Sequence, residues 1–256
     1  MKFAIPLETM FSESPMEQRF ARAAGMGIEG VAFLGWRAKD IDAIDHARRA
    51  AGVEIPYIGC FPQWPPTSLC NPAEKDTFRA ELEEALAVAE RIEAPLLIGI
   101  SGDRIVGIPE ERLWITLRDN VAWAAERCEQ RKKTFILENV NRYEMPNVLL
   151  ERFTDAARLV DEVASDNLRL CFDTMHVQLT EGDITHMIQE HAAKIANVHL
   201  EAVPHRGEPG TGELDDRYVL RTLQDTGFRG FVVLEYSPQG STEESLKRSL
   251  DYLMRP

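Results

Sequence analysis

Eight times along this chain a short apolar run rich in β-branched residues gives way to a longer amphipathic stretch, and this alternation limits the possible folds more than any other feature. The strand-like runs lie at 2–7, 30–34, 56–61, 95–100, 134–139, 168–173, 195–200 and 231–236. Helix-like segments follow at 15–25, 39–51, 74–93, 109–131, 155–165, 183–193, 216–227 and 242–254. Their apolar residues recur at i, i+3 and i+4, as in Leu82, Ala85, Leu86 and Ala89 or Leu246, Leu250 and Leu253, so one face of each helix packs inward. Ser241-Thr242-Glu243-Glu244 has the form of a capping box ahead of the last stripe, and Thr154 is placed to cap the helix that follows it.

Strands that alternate strictly with helices are joined by right-handed crossovers into a parallel sheet, which is either open and doubly wound or closed. Eight units of about 32 residues favour closure: an α/β fold made of a single (β/α)8 barrel, with 1–256 as one domain. No Gly/Ser-rich linker or low-complexity tract divides the chain. The longest irregular stretch, 63–72, follows the third strand and could serve as a lid over the barrel mouth.

Charge narrows the partners. A net charge of -13 repels polyanions, which argues against nucleic acid and anionic membrane and leaves a small molecule as the expected partner, with a homo-oligomer possible. No run approaches the roughly 20 apolar residues of a membrane span. The opening segment, with Glu8 close behind a short apolar run, lacks the form of a secretory signal. Four cysteines, Cys60, Cys70, Cys128 and Cys171, have no C-x-x-C spacing and are too few for a disulfide framework, so a reducing cytoplasm is the expected compartment.

The C-terminal ends of the strands form the active face of such a barrel, so polar residues that end apolar runs are the first candidates. Glu138, Asp173, His199 and Glu235 end four consecutive runs and are carried to the same end of the sheet by similar run lengths. Each alone could cap a strand or pair with a basic neighbour. Together, three carboxylates in a poorly screened cavity repel one another by several kcal/mol unless a cation or a proton relieves the charge. One divalent metal would do so. Carboxylate oxygens with one imidazole suit Mn²⁺ or Mg²⁺, and Co²⁺ or Zn²⁺ are also compatible.

Around these four, His176, Glu144 and Arg206 stand where post-strand loops aim side chains at substrate oxygens. The glycines and prolines around 207–212 indicate tight turns, since a phosphate cradle demands another glycine spacing. His46, His186 and His191 fall within helix-like segments and take no role. Trp114 and Trp123 lie on an amphipathic helix and pack on the barrel, whereas Trp36 and Trp64 follow the second and third strands and could line a sugar pocket.

On these residues the chain resembles the hydroxypyruvate isomerase family of the xylose-isomerase-like TIM-barrel superfamily of sugar isomerases and epimerases. The resemblance runs nearly end to end. It is carried by Phe172-Asp173-Thr174-Met175-His176, by Glu181-Gly182-Asp183, by the stretch from Val203-Pro204-His205-Arg206 through Gly212-Glu213-Leu214, and by Leu234-Glu235-Tyr236. It implies metal ligation by Glu138, Asp173, His199 and Glu235, acid and base roles for the two glutamates, and substrate contacts from His176 and Arg206. The run Asn141-Arg142-Tyr143-Glu144 and the imidazole at His199 are more similar to ketose 3-epimerases, since hydroxypyruvate isomerases often carry glutamine at the latter place. Hydroxypyruvate isomerase-like conversion to tartronate semialdehyde is thus the first expectation and ketose 3-epimerisation the alternative. An apurinic endonuclease-like phosphodiesterase would need more histidines and a basic surface, and a non-catalytic sugar-binding barrel would exchange no substrate proton.

Overall fold

In the computed structural model, residues 1–254 are described; the expected domain end at 256 lies just outside them. Eight parallel strands occur in chain order as β1 (Lys2–Pro6), β2 (Gly30–Ala32), β3 (Tyr57–Gly59), β4 (Leu96–Ile100), β5 (Thr134–Glu138), β6 (Leu168–Asp173), β7 (Ile195–His199) and β8 (Phe231–Val233). They are hydrogen-bonded in the order β2-β1-β8-β7-β6-β5-β4-β3. Isolated parallel bridges Gly30–Glu54 and Phe33–Ile58 join the two ends, with Val31 N donating to Glu54 O at 2.9 Å and Gly59 N to Phe33 O at 3.3 Å. The result is the (β/α)8 barrel that the alternation predicts. Among the described residues, no helix is long and apolar enough to cross a membrane.

Side chains alternate across each strand, and the two faces meet different cores. Ala4, Ala32, Tyr57, Ile98, Ile136, Cys171 and Val233 fill the barrel interior. The opposite face packs against the surrounding helices: α1 (Met16–Gly25), α2 (Ile41–Ala51), α3 (Lys75–Arg91), α4 (Glu110–Gln130), α5 (Phe153–Val163), α6 (Thr174–Thr180), α7 (Ile184–His191), α8 (Asp216–Asp225) and α9 (Thr242–Leu253). Leu82, Ala85, Leu86 and Ala89 are fully buried there, and Trp114 and Trp123 pack against the same core.

Local signals account for several helix starts. Asp40 caps α2 through Ala43 N at 3.0 Å, Asp215 caps α8 through Arg217 N and Tyr218 N, and Ser241 caps α9 through Glu244 N at 3.3 Å, as the capping-box reading expects. Thr154 is a correction: Arg152 occupies the N-cap of α5 without a side-chain bond, and Thr154 lies inside the helix. The partner of the free N–H groups is Glu181, which accepts from Phe153 N at 2.6 Å, Thr154 N at 3.2 Å and Thr154 Oγ1 at 2.5 Å. The short helix α6 was absent from the expected elements, because two turns are too few to display a periodic stripe.

Candidate active site at the barrel mouth

Strand parity sets the acidic cluster. Ile136, Cys171 and Val233 point into the barrel, and Asn197 occupies the corresponding place on β7. Two residues further on stand Glu138, Asp173, Glu235 and His199, so a repeat of two carries all four to the next layer up, at the mouth. Register puts Asp173 level with His199, while Glu138 is paired to Cys171 and His199 to Val233, two residues before Asp173 and Glu235 respectively. His199 Nδ1 lies 2.8 Å from Glu138 Oε1, 3.1 Å from Glu235 Oε2 and 3.8 Å from Asp173 Oδ2. One ligand atom from each residue falls within 4.8 Å of all the others. The four residues that the sequence singles out therefore converge.

These contacts are short, yet they are not directed as hydrogen bonds. Glu138 Oε1, Asp173 Oδ2 and both ring nitrogens of His199 are buried without a hydrogen-bond partner among the described residues. Buried polar atoms in a folded protein are normally satisfied, so three orphans gathered together, with Glu138 Oε1 2.8 Å and Asp173 Oδ2 3.8 Å from His199 Nδ1, are the pattern of a cation site. The electrostatics agree. Burial opposes charging of the His199 imidazole, but Cys171, Glu235, Tyr57 and Glu138 around it more than offset this and hold its pKa well above the usual value. Burial likewise opposes ionisation of Glu235, whose pKa is nonetheless drawn down to about 2 by His199 and Arg206. Asp173 is shifted the same way, against its complete burial, by His176, His199 and Arg206. The cluster is thus built to hold negative charge beside positive charge.

Asp173 divides its two oxygens. Oδ1 accepts from His176 N at 2.7 Å and so caps α6, while Oδ2 faces the cluster. The same helix start fixes His176, whose Nδ1 is 2.7 Å from Asn141 Nδ2 and whose Nε2 is 3.4 Å from Arg206 Nη2. Arg206 enters from the loop after β7 with a left-handed backbone (φ 50), a conformation uncommon outside glycine that often marks a functional constraint. Its carbonyl accepts from Ser237 N at 3.0 Å. The glycine-rich turn behind it is tight as expected: a Cβ on Gly212 would meet Val203 O at 2.4 Å.

A cavity of about 200 Å³ opens at this layer, lined on the polar side by Glu138, Glu144, His176, Arg206 and Glu235. Its other wall is apolar, with Leu34, Phe61, Trp64, Ile98, Ile100, Val140 and Met145. Trp64 belongs to the 63–72 segment and lines the cavity; Trp36 does not. Trp36 packs into the core and donates Nε1 to Gly59 O at 3.2 Å.

Sequence reasoning missed Glu201, Glu8 and Asn141. Glu201 is fully buried, 3.8 Å from Arg206 Nη2, with both carboxylate oxygens lacking a hydrogen-bond partner among the described residues, and burial together with the nearby Asp173 charge pushes its pKa well up. Its signal was parity, since Asn197, His199 and Glu201 follow one another at intervals of two. Glu8 accepts from Leu34 N at 2.9 Å and lies 3.6 Å from Lys39; burial raises its pKa.

The chain matches the family described as xylose isomerase-like TIM barrel over residues 20–255. It is 28% identical over 252 residues to hydroxypyruvate isomerase of Escherichia coli, covering 96% of this chain and 97% of that protein. It is also 28% identical over 258 residues to 2-oxo-tetronate isomerase of Cupriavidus necator, with 99% of each covered. Among solved structures, one described as AP endonuclease, family 2, from Brucella melitensis superposes with a TM-score of 0.93 at 29% identity, covering 98% of both chains. The barrel, its convergent acidic mouth and these end-to-end likenesses together mean that the chain belongs to the xylose isomerase-like TIM barrel family and is an enzyme of the isomerase and epimerase kind.

Proposed function

We propose that the chain, as one domain over 1–256, is a metal-dependent isomerase that moves a proton between neighbouring carbons of a short hydroxy-carbonyl acid, as in the conversion of hydroxypyruvate to tartronate semialdehyde. The observation that carries this reading is the set of three orphaned ligand atoms, one each from Glu138, Asp173 and His199, beside the Glu235 carboxylate at the cavity floor. Oxygen donors with one imidazole fit Mn²⁺ or Mg²⁺, and Co²⁺ or Zn²⁺ as well. A divalent ion bound there supplies Lewis-acid polarisation of a carbonyl and its neighbouring hydroxyl.

A proton on carbon beside a carbonyl is a poor acid, and its removal needs a base held at the right place. Glu138 and Glu235 both line the cavity. His199 and Arg206 hold Glu235 in its carboxylate form, the form that a base requires. One glutamate takes the proton, and either it or the other delivers one to the adjacent carbon. His176, locked by Asn141 and by the start of α6, orients a substrate hydroxyl, and Arg206 is the group for a substrate carboxylate. The related hydroxypyruvate and 2-oxo-tetronate isomerases are named for acids, which supports this choice.

The test is a panel of short oxo-acids and ketoses incubated with Mn²⁺-loaded protein in D₂O, read by NMR for the carbon that gains deuterium. Hydroxypyruvate should exchange and isomerise, and Glu138→Gln and Glu235→Gln should each lose about 10²- to 10⁴-fold in rate or more. A metal-loaded protein that exchanges no proton on any compound would end this reading. One observation favours ketose 3-epimerisation instead: the guanidinium of Arg206 is already held by Glu144. Deuterium entering C3 of a free ketose without aldose formation would decide for it.

A further inference from the structure

The contacts of Arg206 leave little room for a substrate carboxylate. Nε and Nη2 donate to the two oxygens of Glu144 at 3.1 and 3.2 Å, so one edge of the guanidinium is closed by a bidentate pair. Nη1 donates to Glu235 Oε2 at 2.8 Å, and Nη2 also approaches His176 Nε2. No edge keeps two donors clear of protein partners, and a carboxylate is best held by two at once.

The acidic groups around this guanidinium differ in their freedom to leave. Asp173 and Glu201, each 3.8 Å from Nη2, are fully buried on or just after barrel strands, and Glu235 belongs to the acidic cluster. Glu144 stands on the turn after β5, with a side chain 41% exposed, and water is available to it if it swings away. Its backbone stays anchored in that event, because Glu144 N donates to Asn141 Oδ1 and that bond does not involve the carboxylate.

We propose that Glu144 is a specificity gate: its carboxylate occupies the seat on Arg206 that a substrate carboxylate would take, so acidic substrates enter by displacing it and neutral ones bind with it in place. This rests on the reading of the cavity as an isomerase site for short hydroxy-carbonyl compounds. The gate sets the preference between acids and neutral sugars by an internal competition, like charge against like charge, at a single guanidinium.

Two unreactive compounds that differ by a carboxylate in place of a hydroxymethyl group, D-glycerate and glycerol, test it by calorimetric titration of the Mn²⁺-loaded protein. Glu144→Gln should bind glycerate at least tenfold more tightly than the parent and glycerol within about twofold. Glu144→Ala, which removes the contact altogether, should match or exceed that gain. Glu213→Gln deletes the same charge from an exposed residue that does not touch Arg206, and should leave both affinities unchanged. If both compounds bind and neither Glu144 variant gains preference for glycerate, or Glu213→Gln gains as much, the gate falls while the isomerase reading stands. If neither compound binds parent or variant, the gate falls, and the isomerase reading is decided separately by the deuterium exchange.

Discussion

Asp216, at the start of α8, is a single buried acid with a consequence for the whole molecule's pH response. It has no solvent exposure; Oδ2 accepts from Gly210 N at 2.7 Å, and Oδ1 is unpartnered among the described residues. Burial, reinforced by the Asp215 charge and opposed by the Gly210 N–H, pushes its pKa up to about 6. The folded chain therefore keeps a proton between roughly pH 4 and 6 that the unfolded chain releases. That contribution to stability is complete below about pH 4 and is lost as the pH rises through 6. Asp216→Asn can still accept from Gly210 N and never ionises. It should exceed the parent in stability at pH 7–8 by on the order of 2 kcal/mol, with the gap closing below about pH 4. Urea unfolding at pH 4, 6 and 8 checks this, and a gap that does not change with pH would refute it. Nothing near Asp216 in the sequence predicts its burial, whereas Glu138, Asp173, His199 and Glu235 were visible because each interrupts the end of an apolar run.

At the scale of elements, the start of α5 shows where local reading stops. Thr154 has the right residue type in nearly the right place, but the chain supplies the cap from Glu181, beyond α6 and distant in sequence. A cap delivered across space leaves no mark beside the helix it serves. It does give a role to Glu181 within the Glu181-Gly182-Asp183 motif: its side chain is only 3% exposed and ties α5 to the segment that leads out of the site. Glu181→Ala leaves Phe153 N and Thr154 N without that partner and should cost about 2–3 kcal/mol, a fall in Tm of roughly 5–10 °C. A variant that melts within about 1 °C of the parent would show that water replaces the cap at no cost. The strands were easier to read, and their ends less so: β2, β3 and β8 are each three residues long, shorter than their apolar runs, because the chain leaves the ladder before its hydrophobic character ends.

For the molecule as a whole, the order of eight strand and helix units was legible throughout, because every unit repeats the same change of period from two to 3.6. The contact between Arg206 and Glu144 was not, since it spans 62 residues and depends on where two loops meet above the barrel. An ion that binds the folded mouth and not the unfolded chain must stabilise the fold by mass action. Mn²⁺ at a hundred times its dissociation constant should add about 2.7 kcal/mol and raise Tm by several degrees, with a chelator reversing the gain. Glu138→Gln should lose most of that increment; an equal metal-induced rise in parent and variant would place the ion elsewhere.

The acidic residues come from the arc β5 to β8, while most of the apolar wall comes from β4 and the loops after β2 and β3. The rim is therefore divided between two neighbouring sectors that share few residues. Remodelling the apolar sector, for instance by transplanting the 61–70 loop from a relative, can alter which molecule is admitted while the acidic sector keeps its geometry. A barrel arranged in this way can diversify its diet without having to reinvent its chemistry.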